Sequence, residues 1–331
     1  MMTGIGVGVA FAAVGVGWVY KGLKPPPPKA YAVSSPRVKL SDGRHLAYKE
    51  VGVPKEEAQY KIIVSHGYDD SKDMHFPASQ ELIEELKLYF LFYDRAGYGE
   101  SDPHPSRSVK TEAFDIQELA DKLQLGPKFY IIGCSLGAYP IWSCLKYIPH
   151  RLLGAALVVP FVNYWWPSVP SALSKQSFRK LPQSFQWIFG IAHYTPWLYH
   201  WWTRKKFPST VDEGMFTDSD LELLKGILLE RPDDVQKKIK QQGERESVNR
   251  DILAAYGKWE FDPIMELSKI PGGCVHMWQG SADRVIPIEF NHFVAQKLGW
   301  IKYHEIPDAG HMLVHEPANF EVIVRALVAD G

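Results

Sequence analysis

Cysteine is scarce in this chain. Cys134, Cys144 and Cys274 are the three in 331 residues, odd in number and widely spaced, so they build neither a disulfide framework nor a paired-cysteine zinc site. Such usage suits a reducing compartment. Net charge is nearly absent as well: 37 Lys and Arg against 38 Asp and Glu leave −1, without the basic footprint of a nucleic-acid-binding protein. No Asn-x-Ser/Thr glycosylation acceptor occurs, in keeping with a cytosolic body. Asp69, Asp70 and Asp73 cluster with no accompanying His or Cys ligand pattern, so they read as a solvated turn, and neither a metal nor another cofactor is expected.

What is present is apolar surface. At 46% hydrophobic and 23% charged residues, the composition is that of a globular protein with a large core, and the length fits one large α/β domain carrying an insertion, or two smaller domains. Residues 3–20 form an uncharged, mostly apolar run of 18, enough to span a bilayer as a helix, although its glycines weaken it. Lys21, Lys24 and Lys29 follow the run and no basic residue precedes it. The positive-inside bias therefore puts the body in the cytosol, whereas a cleaved signal would show the opposite charge order. The expectation is a single N-terminal pass in the endoplasmic reticulum or another endomembrane. Pro25 to Pro28 then make a short, stiff spacer, so residues 1–30 read as anchor plus spacer.

Beyond Arg37 the pattern alternates, and residues 37–51 read as a β-hairpin turning at Ser41-Asp42-Gly43. Residues 61–66 and 88–93 are continuous apolar runs, which suit strands of a parallel sheet covered on both faces. Helical periodicity predicts helices over 74–88, 111–125 (opened by Thr111), 138–147 and 318–329, with further strands at 128–134, 152–159, 274–278 and 301–306. Strand–helix alternation implies a doubly wound, mostly parallel α/β sheet with its site at the carboxyl ends of the strands. Residues 161–261 break the alternation with an aromatic-rich, mainly helical segment that reads as a cap inserted into a domain made of 31–160 and 262–331.

One stretch organises the rest. A β-type run ends in Gly133-Cys134-Ser135-Leu136-Gly137 and passes at once into helix formers, the context a nucleophile elbow requires. Glycines two places either side of Ser135 permit a strained turn that lifts the hydroxyl above the sheet edge. With 26 Gly in the chain, a chance Gly-x-Ser-x-Gly is expected in roughly one such sequence in eight, so the partners matter. They are present: one later strand runs into Asp283, and the next into Asp308-Ala309-Gly310-His311. Asp308 is a rival acid, disfavoured because it shares a loop with the base.

His66-Gly67, Asp94-x-x-Gly97-x-Gly99-x-Ser101, the elbow, and the Asp and His loops come in the order Ser135, Asp283, His311. From about Arg37 to the end the chain resembles the α/β-hydrolase superfamily, in particular plant-type, N-terminally anchored members with a Gly-Cys-Ser-Leu-Gly elbow and an aromatic cap. The resemblance implies an α/β-hydrolase fold and a serine nucleophile. It places the oxyanion hole at the backbone N–H groups of Tyr68 and Leu136, with His66 orienting that loop. Epoxide hydrolases and haloalkane dehalogenases of this fold use aspartate where this chain has Ser135, so acyl transfer to water is implied. A serine hydroxyl needs a base, which His311 supplies while Asp283 holds the imidazole tautomer.

The expected substrate is a hydrophobic carboxylic ester, lipid or aromatic. A thioesterase, or a receptor-like protein with little turnover, is the alternative. Residues 186–206, with Trp187, Trp197, Trp201 and Trp202, could pack the cap, line an apolar pocket or touch the bilayer. Residues 219–240 read as an exposed helix pair of the cap.

Overall fold

The computed structural model describes residues 33–206 and 213–329. The expected membrane anchor, residues 3–20, lies outside the described residues. Among the described residues no helix is long and apolar enough to cross a membrane.

The described strands form one eight-stranded sheet in the order β1-β2-β4-β3-β5-β6-β7-β8. The strands β1 (Arg37–Lys39) and β2 (His45–Gly52) form the expected hairpin, and β2 lies antiparallel to β4 (Leu88–Tyr93). From β4 the sheet continues in parallel through β3 (Tyr60–Ser65), β5 (Phe129–Cys134), β6 (Leu152–Val158), β7 (Cys274–Gly280) and β8 (Ile301–Ile306). Every residue of β4, β5 and β7 is buried, as unbroken apolar runs demand when helices cover both faces. The chain leaves β3 toward β4 and returns to β5 on its other side. The connections leaving the carboxyl ends of β3 and β5 therefore run to opposite faces of the sheet, a topological switch point where α/β sheets open a crevice.

The flanking helices differ from their sequence-based bounds for local reasons. The first, α1 (Gln80–Leu86), is half the length expected for residues 74–88. Pro77 interrupts the run, Ser79 Oγ caps the start by accepting the Leu82 N–H at 3.1 Å, and Lys87 ends the helix at φ 50°. The next, α2 (Val109–Lys122), is opened by Ser108 rather than Thr111. Thr111 is the third helical residue of a reciprocal box: Ser108 Oγ accepts its N–H at 3.3 Å and its Oγ1 accepts the Ser108 N–H at 3.0 Å. A 310 turn from Ser135 to Ala138 leads into α3 (Tyr139–Tyr147), with Pro140 in the first turn where its missing N–H is harmless.

Between β6 and β7 the described chain is helical: α4 (Ser171–Lys180), α5 (Gln183–Tyr194), α6 (Pro196–Lys206), α7 (Asp218–Glu230), α8 (Asp233–Ile239), α9 (Arg250–Tyr256) and the single turn α10 (Pro263–Glu266). The domain closes with α11 (Ile288–Lys297) and α12 (Pro317–Ala329). One apolar layer unites α2, α3 and α11 with one sheet face through Ile116, Trp142 and Phe290, and extends into the insertion through Phe161 and Tyr256. The opposite face is covered by α1 and α12 through Ile83, Ile323 and Leu327.

Two ionic clusters, one buried and one partly buried, fasten the insertion to the sheet. Asp251 of α9 accepts from Arg95 Nη2 at 2.7 Å, Arg107 Nη2 at 2.9 Å, Tyr98 Oη at 2.8 Å and Tyr139 Oη at 2.9 Å. Burial opposes its ionisation, yet Arg95 and Arg107 hold its carboxyl below the usual carboxylate range. Residues 219–240, expected as an exposed helix pair, fall in α7 and α8 and are mostly exposed, and from their ends Arg231 and Lys240 reach the loop after β3. Arg231 Nη2 donates to Asp70 Oδ1 at 2.8 Å and Lys240 Nζ to Asp69 Oδ2 at 2.9 Å. Asp69 and Asp70 are thus ion-paired tethers of the insertion, not a solvated turn.

Candidate active site

The turn after β5 is forced into an unusual backbone. Ser135 adopts φ 50°, a left-handed conformation that costs an L-residue roughly 1–2 kcal/mol and turns its hydroxyl away from the strand. The flanking glycines are required by contact. A Cβ on Gly137 would lie 2.3 Å from the His66 carbonyl oxygen, and one on Gly133 would lie 2.4 Å from Ile141 Cγ1.

The loops after β7 and β8 meet this turn. His311 Nε2 lies 2.9 Å from Ser135 Oγ, and His311 Nδ1 lies 3.0 Å from Asp283 Oδ2. Asp283 has its side chain fully shielded from solvent and is held by Gln279 Nε2 at 3.0 Å and by the N–H groups of Val285 and Ile286 at 2.8 and 3.0 Å. A carboxylate so placed accepts the Nδ1 proton, which leaves Nε2 as the acceptor facing the serine hydroxyl. Ser135, Asp283 and His311, 176 residues apart at the extremes, form one hydrogen-bonded line. The rival Asp308 is exposed and gives only its backbone N–H, to Ser281 Oγ at 2.8 Å.

His66 stands behind the loop that carries Tyr68. Its Nε2 accepts the Arg95 N–H at 3.1 Å, its Nδ1 lies 2.9 Å from the Gly67 carbonyl, and Arg95 Nη2 donates to that same carbonyl at 3.0 Å. Burial, reinforced by the Arg95 charge, pushes the His66 imidazole well below its usual range, so it is neutral and orients the loop. A Cβ on Gly67 would sit 3.6 Å from Ser135 Cβ, so this loop lies directly against the serine turn. Tyr68 and Leu136 both face the cavity beside Ser135. Cys134 is buried, and burial pushes its thiol up to about 12, leaving it inert as a nucleophile at neutral pH.

Above Ser135 and His311 the insertion encloses a cavity of about 370 Å³, within the range of small-molecule sites. One wall is apolar and aromatic, with Phe161, Tyr164, Phe185, Phe189 and Tyr256. The other is polar, with Asp70, Arg231, Gln236 and His315. Burial pushes Asp70 up to about 6 against the pull of Arg231. Burial, aided by the charge of His75, pushes His315 down to about 4. Of residues 186–206, Ile188 and Phe189 line the cavity beside Phe185, whereas Trp197 and Trp201 are 61% and 43% exposed. Among the described residues no group of His, Cys, Asp and Glu could hold a metal ion.

Residues 62–326 match the model of the alpha/beta hydrolase family. The chain belongs to that family. Among solved structures, this family member is similar to a thermophilic esterase from Thermogutta terrifontis, with TM-score 0.64 and 20% identity over 89% of this chain and 98% of that one. It is also similar to an enol-lactonase from Burkholderia xenovorans LB400, with TM-score 0.60 and 17% identity over 89% and 100% of the two chains. A third similar structure is an esterase from Exiguobacterium antarcticum, with TM-score 0.57, 18% identity and the same coverage. At these identities the likeness is one of fold. Comparison with curated proteins returns no match.

Sequence reasoning missed three site-supporting groups of this hydrolase-family chain. Asp220 and Arg231 sit in residues 219–240, which read as an exposed helix pair, and Asp251 lies in the mainly helical insertion, where nothing local sets it apart. For Asp220 a signal existed: Thr217-x-x-Asp220 is a capping-box pattern, which marks a helix start but says nothing of what its carboxylate will meet.

Proposed function

We propose that this chain is a serine hydrolase that cleaves hydrophobic carboxylic esters through an acyl-enzyme on Ser135. The observation that carries the proposal is the line Ser135 Oγ, His311 Nε2, His311 Nδ1, Asp283 Oδ2, with separations of 2.9 and 3.0 Å, opening into a largely apolar cavity.

In this reading Ser135 Oγ attacks the ester carbonyl carbon while its proton passes to His311 Nε2. The carbonyl oxygen becomes an oxyanion facing the N–H groups of Tyr68 and Leu136; losing one such donor typically costs about 10²–10³ in turnover. Asp283 stabilises the imidazolium. Collapse of the intermediate breaks the carbon–oxygen bond, and His311 returns the proton to the departing alkoxide. Water then attacks the acyl-serine, with His311 as base, and the acid leaves.

The aromatic wall suits an acyl or aryl group, and the polar wall of Asp70, Arg231 and Gln236 faces a second, hydrogen-bonding part of the substrate. Thr3 to Tyr20 is proposed to anchor the enzyme to a membrane, with the folded body on the cytosolic side; the full chain then sediments with membranes and resists a carbonate wash.

The test is a fluorophosphonate probe on the full chain, with Ser135→Ala as control, followed by a panel of short-chain, long-chain and aromatic esters. Labelling that disappears in Ser135→Ala, with turnover falling by at least about 10⁴-fold, is expected. No Ser135-dependent labelling together with no turnover of any ester in the panel would refute it.

A further inference from the structure

The histidine loop is held by the insertion. Asp220 lies in the first turn of α7, where Thr217 Oγ1 accepts its N–H at 3.1 Å and its Oδ2 accepts the Thr217 N–H at 3.0 Å. In an ordinary capping box the carboxylate then faces water. Here it is 2% exposed and reaches across to the loop after β8. Oδ2 also accepts the His311 N–H at 3.1 Å, and Oδ1 accepts the Met312 N–H at 2.8 Å. The approach is so close that a Cβ on Gly310 would lie 2.0 Å from Oδ2.

We infer that Asp220 is a positioning residue for His311, so that the helical insertion completes the reactive geometry as well as covering the pocket. This rests on the hydrolase reading above. The imidazole must satisfy Ser135 and Asp283 together, at 2.9 and 3.0 Å, and its backbone is fixed from the far side by the Asp220 carboxylate. Without that acceptor the buried His311 N–H and the partly buried Met312 N–H lose their partner, and an unsatisfied buried donor drives the loop to rearrange. A shift of about 1 Å at a reacting group can cost about 10² in rate. The same helix lines the cavity with Leu224 and Ile227, so a ligand seated against α7 bears on the element that sets His311.

The test compares Asp220→Ala and Gly310→Ala with Asp218→Ala, a control that removes an exposed charge from the same helical turn. Both Asp220→Ala and Gly310→Ala should slow fluorophosphonate labelling of Ser135 and lower kcat by about 10–100-fold, with KM changed less than about threefold. Both should broaden or abolish the low-field proton signal of the His311–Asp283 hydrogen bond, which Asp218→Ala keeps. In the unsubstituted chain the amide protons of His311 and Met312 should exchange as slowly as those of the first turns of α7. Rate and low-field signal unchanged in Asp220→Ala, a loss confined to KM, or, if the variants do not fold, His311 and Met312 amides exchanging as fast as those of Asp308 and Ala309, would overturn the assignment. The proton signal and the exchange rates need no substrate, so they decide on Asp220 even if Ser135 proves unreactive.

Discussion

Asp251→Asn tests the reasoning about the insertion most severely. The substitution keeps the shape of the side chain and removes its charge, leaving the buried Arg95 without the carboxylate it pairs with and the buried Arg107 with Glu112 alone. The new amide presents N–H donors to guanidinium groups that also donate. Breaking a buried pair from one side costs about 3–5 kcal/mol, because the remaining charge is stranded in a low dielectric. At roughly 2–4 °C per kcal/mol for a chain of this class, the midpoint of thermal unfolding should fall by about 6–20 °C. The effect has a functional side. Arg95 donates to the Gly67 carbonyl at 3.0 Å, so loosening it frees the loop that carries Tyr68, and kcat should fall along with stability. The acid side follows by linkage. Asp251 has its folded-state carboxyl depressed, so its stabilisation is complete above the unfolded value of about 4 and is lost as pH falls through the lower folded value. The variant should lack that part of the acid transition. Thermal melts by circular dichroism at pH 7, with urea titrations at acid pH, are the assay. A midpoint within about 2 °C of the parent would refute the clamp.

Two further substitutions probe the site from other directions. Gly137→Ala brings a methyl to 2.3 Å from the His66 carbonyl oxygen and 2.4 Å from that of Ser65, contacts that rigid backbone cannot relieve. It should cost at least about 2 kcal/mol and abolish labelling of Ser135, whereas parent-like urea midpoint and labelling would contradict the need for close approach at the elbow. His315→Gln addresses pH. Burial holds this imidazole down to about 4 while an unfolded one titrates near 6.5, so stability falls as pH drops through that interval. The variant should lose up to about 1.4 kcal/mol per pH unit of that slope in urea midpoints between pH 6.5 and 4.5. Asp70, pushed up to about 6, acts with opposite sign but is common to both proteins, so equal slopes would sink the prediction.

The residues that read correctly from sequence are those whose meaning is local. Unbroken runs such as Leu88–Tyr93 predict buried parallel strands because a strand covered on both faces has no polar side to show. Gly133 and Gly137 announce a strained turn around Ser135 because only glycine tolerates the approach of neighbouring backbone. Chain order then points to Asp283 and His311, which lie just past their strands. Helix bounds are less secure where caps compete. Thr111 and Ser108 are both good openers, and the choice falls to whichever can receive the other's N–H.

Partners chosen across the fold were out of reach. Asp70 has the appearance of a solvated turn residue until Arg231, 161 positions away, is folded against it. Asp220 reads as a helix-surface charge, and Asp251 carries no signal at all, because local periodicity cannot say which polar face will be buried by another segment. For residues 186–206 composition left packing, pocket and bilayer contact open, and the fold divides them: Ile188 and Phe189 of α5 face the cavity while Trp197 and Trp201 are exposed. Sequence alone therefore determined the strand–turn–helix frame, the elbow and the order of its partners, since each is written in the residue pattern of a short stretch or in chain order. Tertiary structure decided what stands over the elbow and what holds His311 in place, since those depend on which distant charges and rings are excluded from water together.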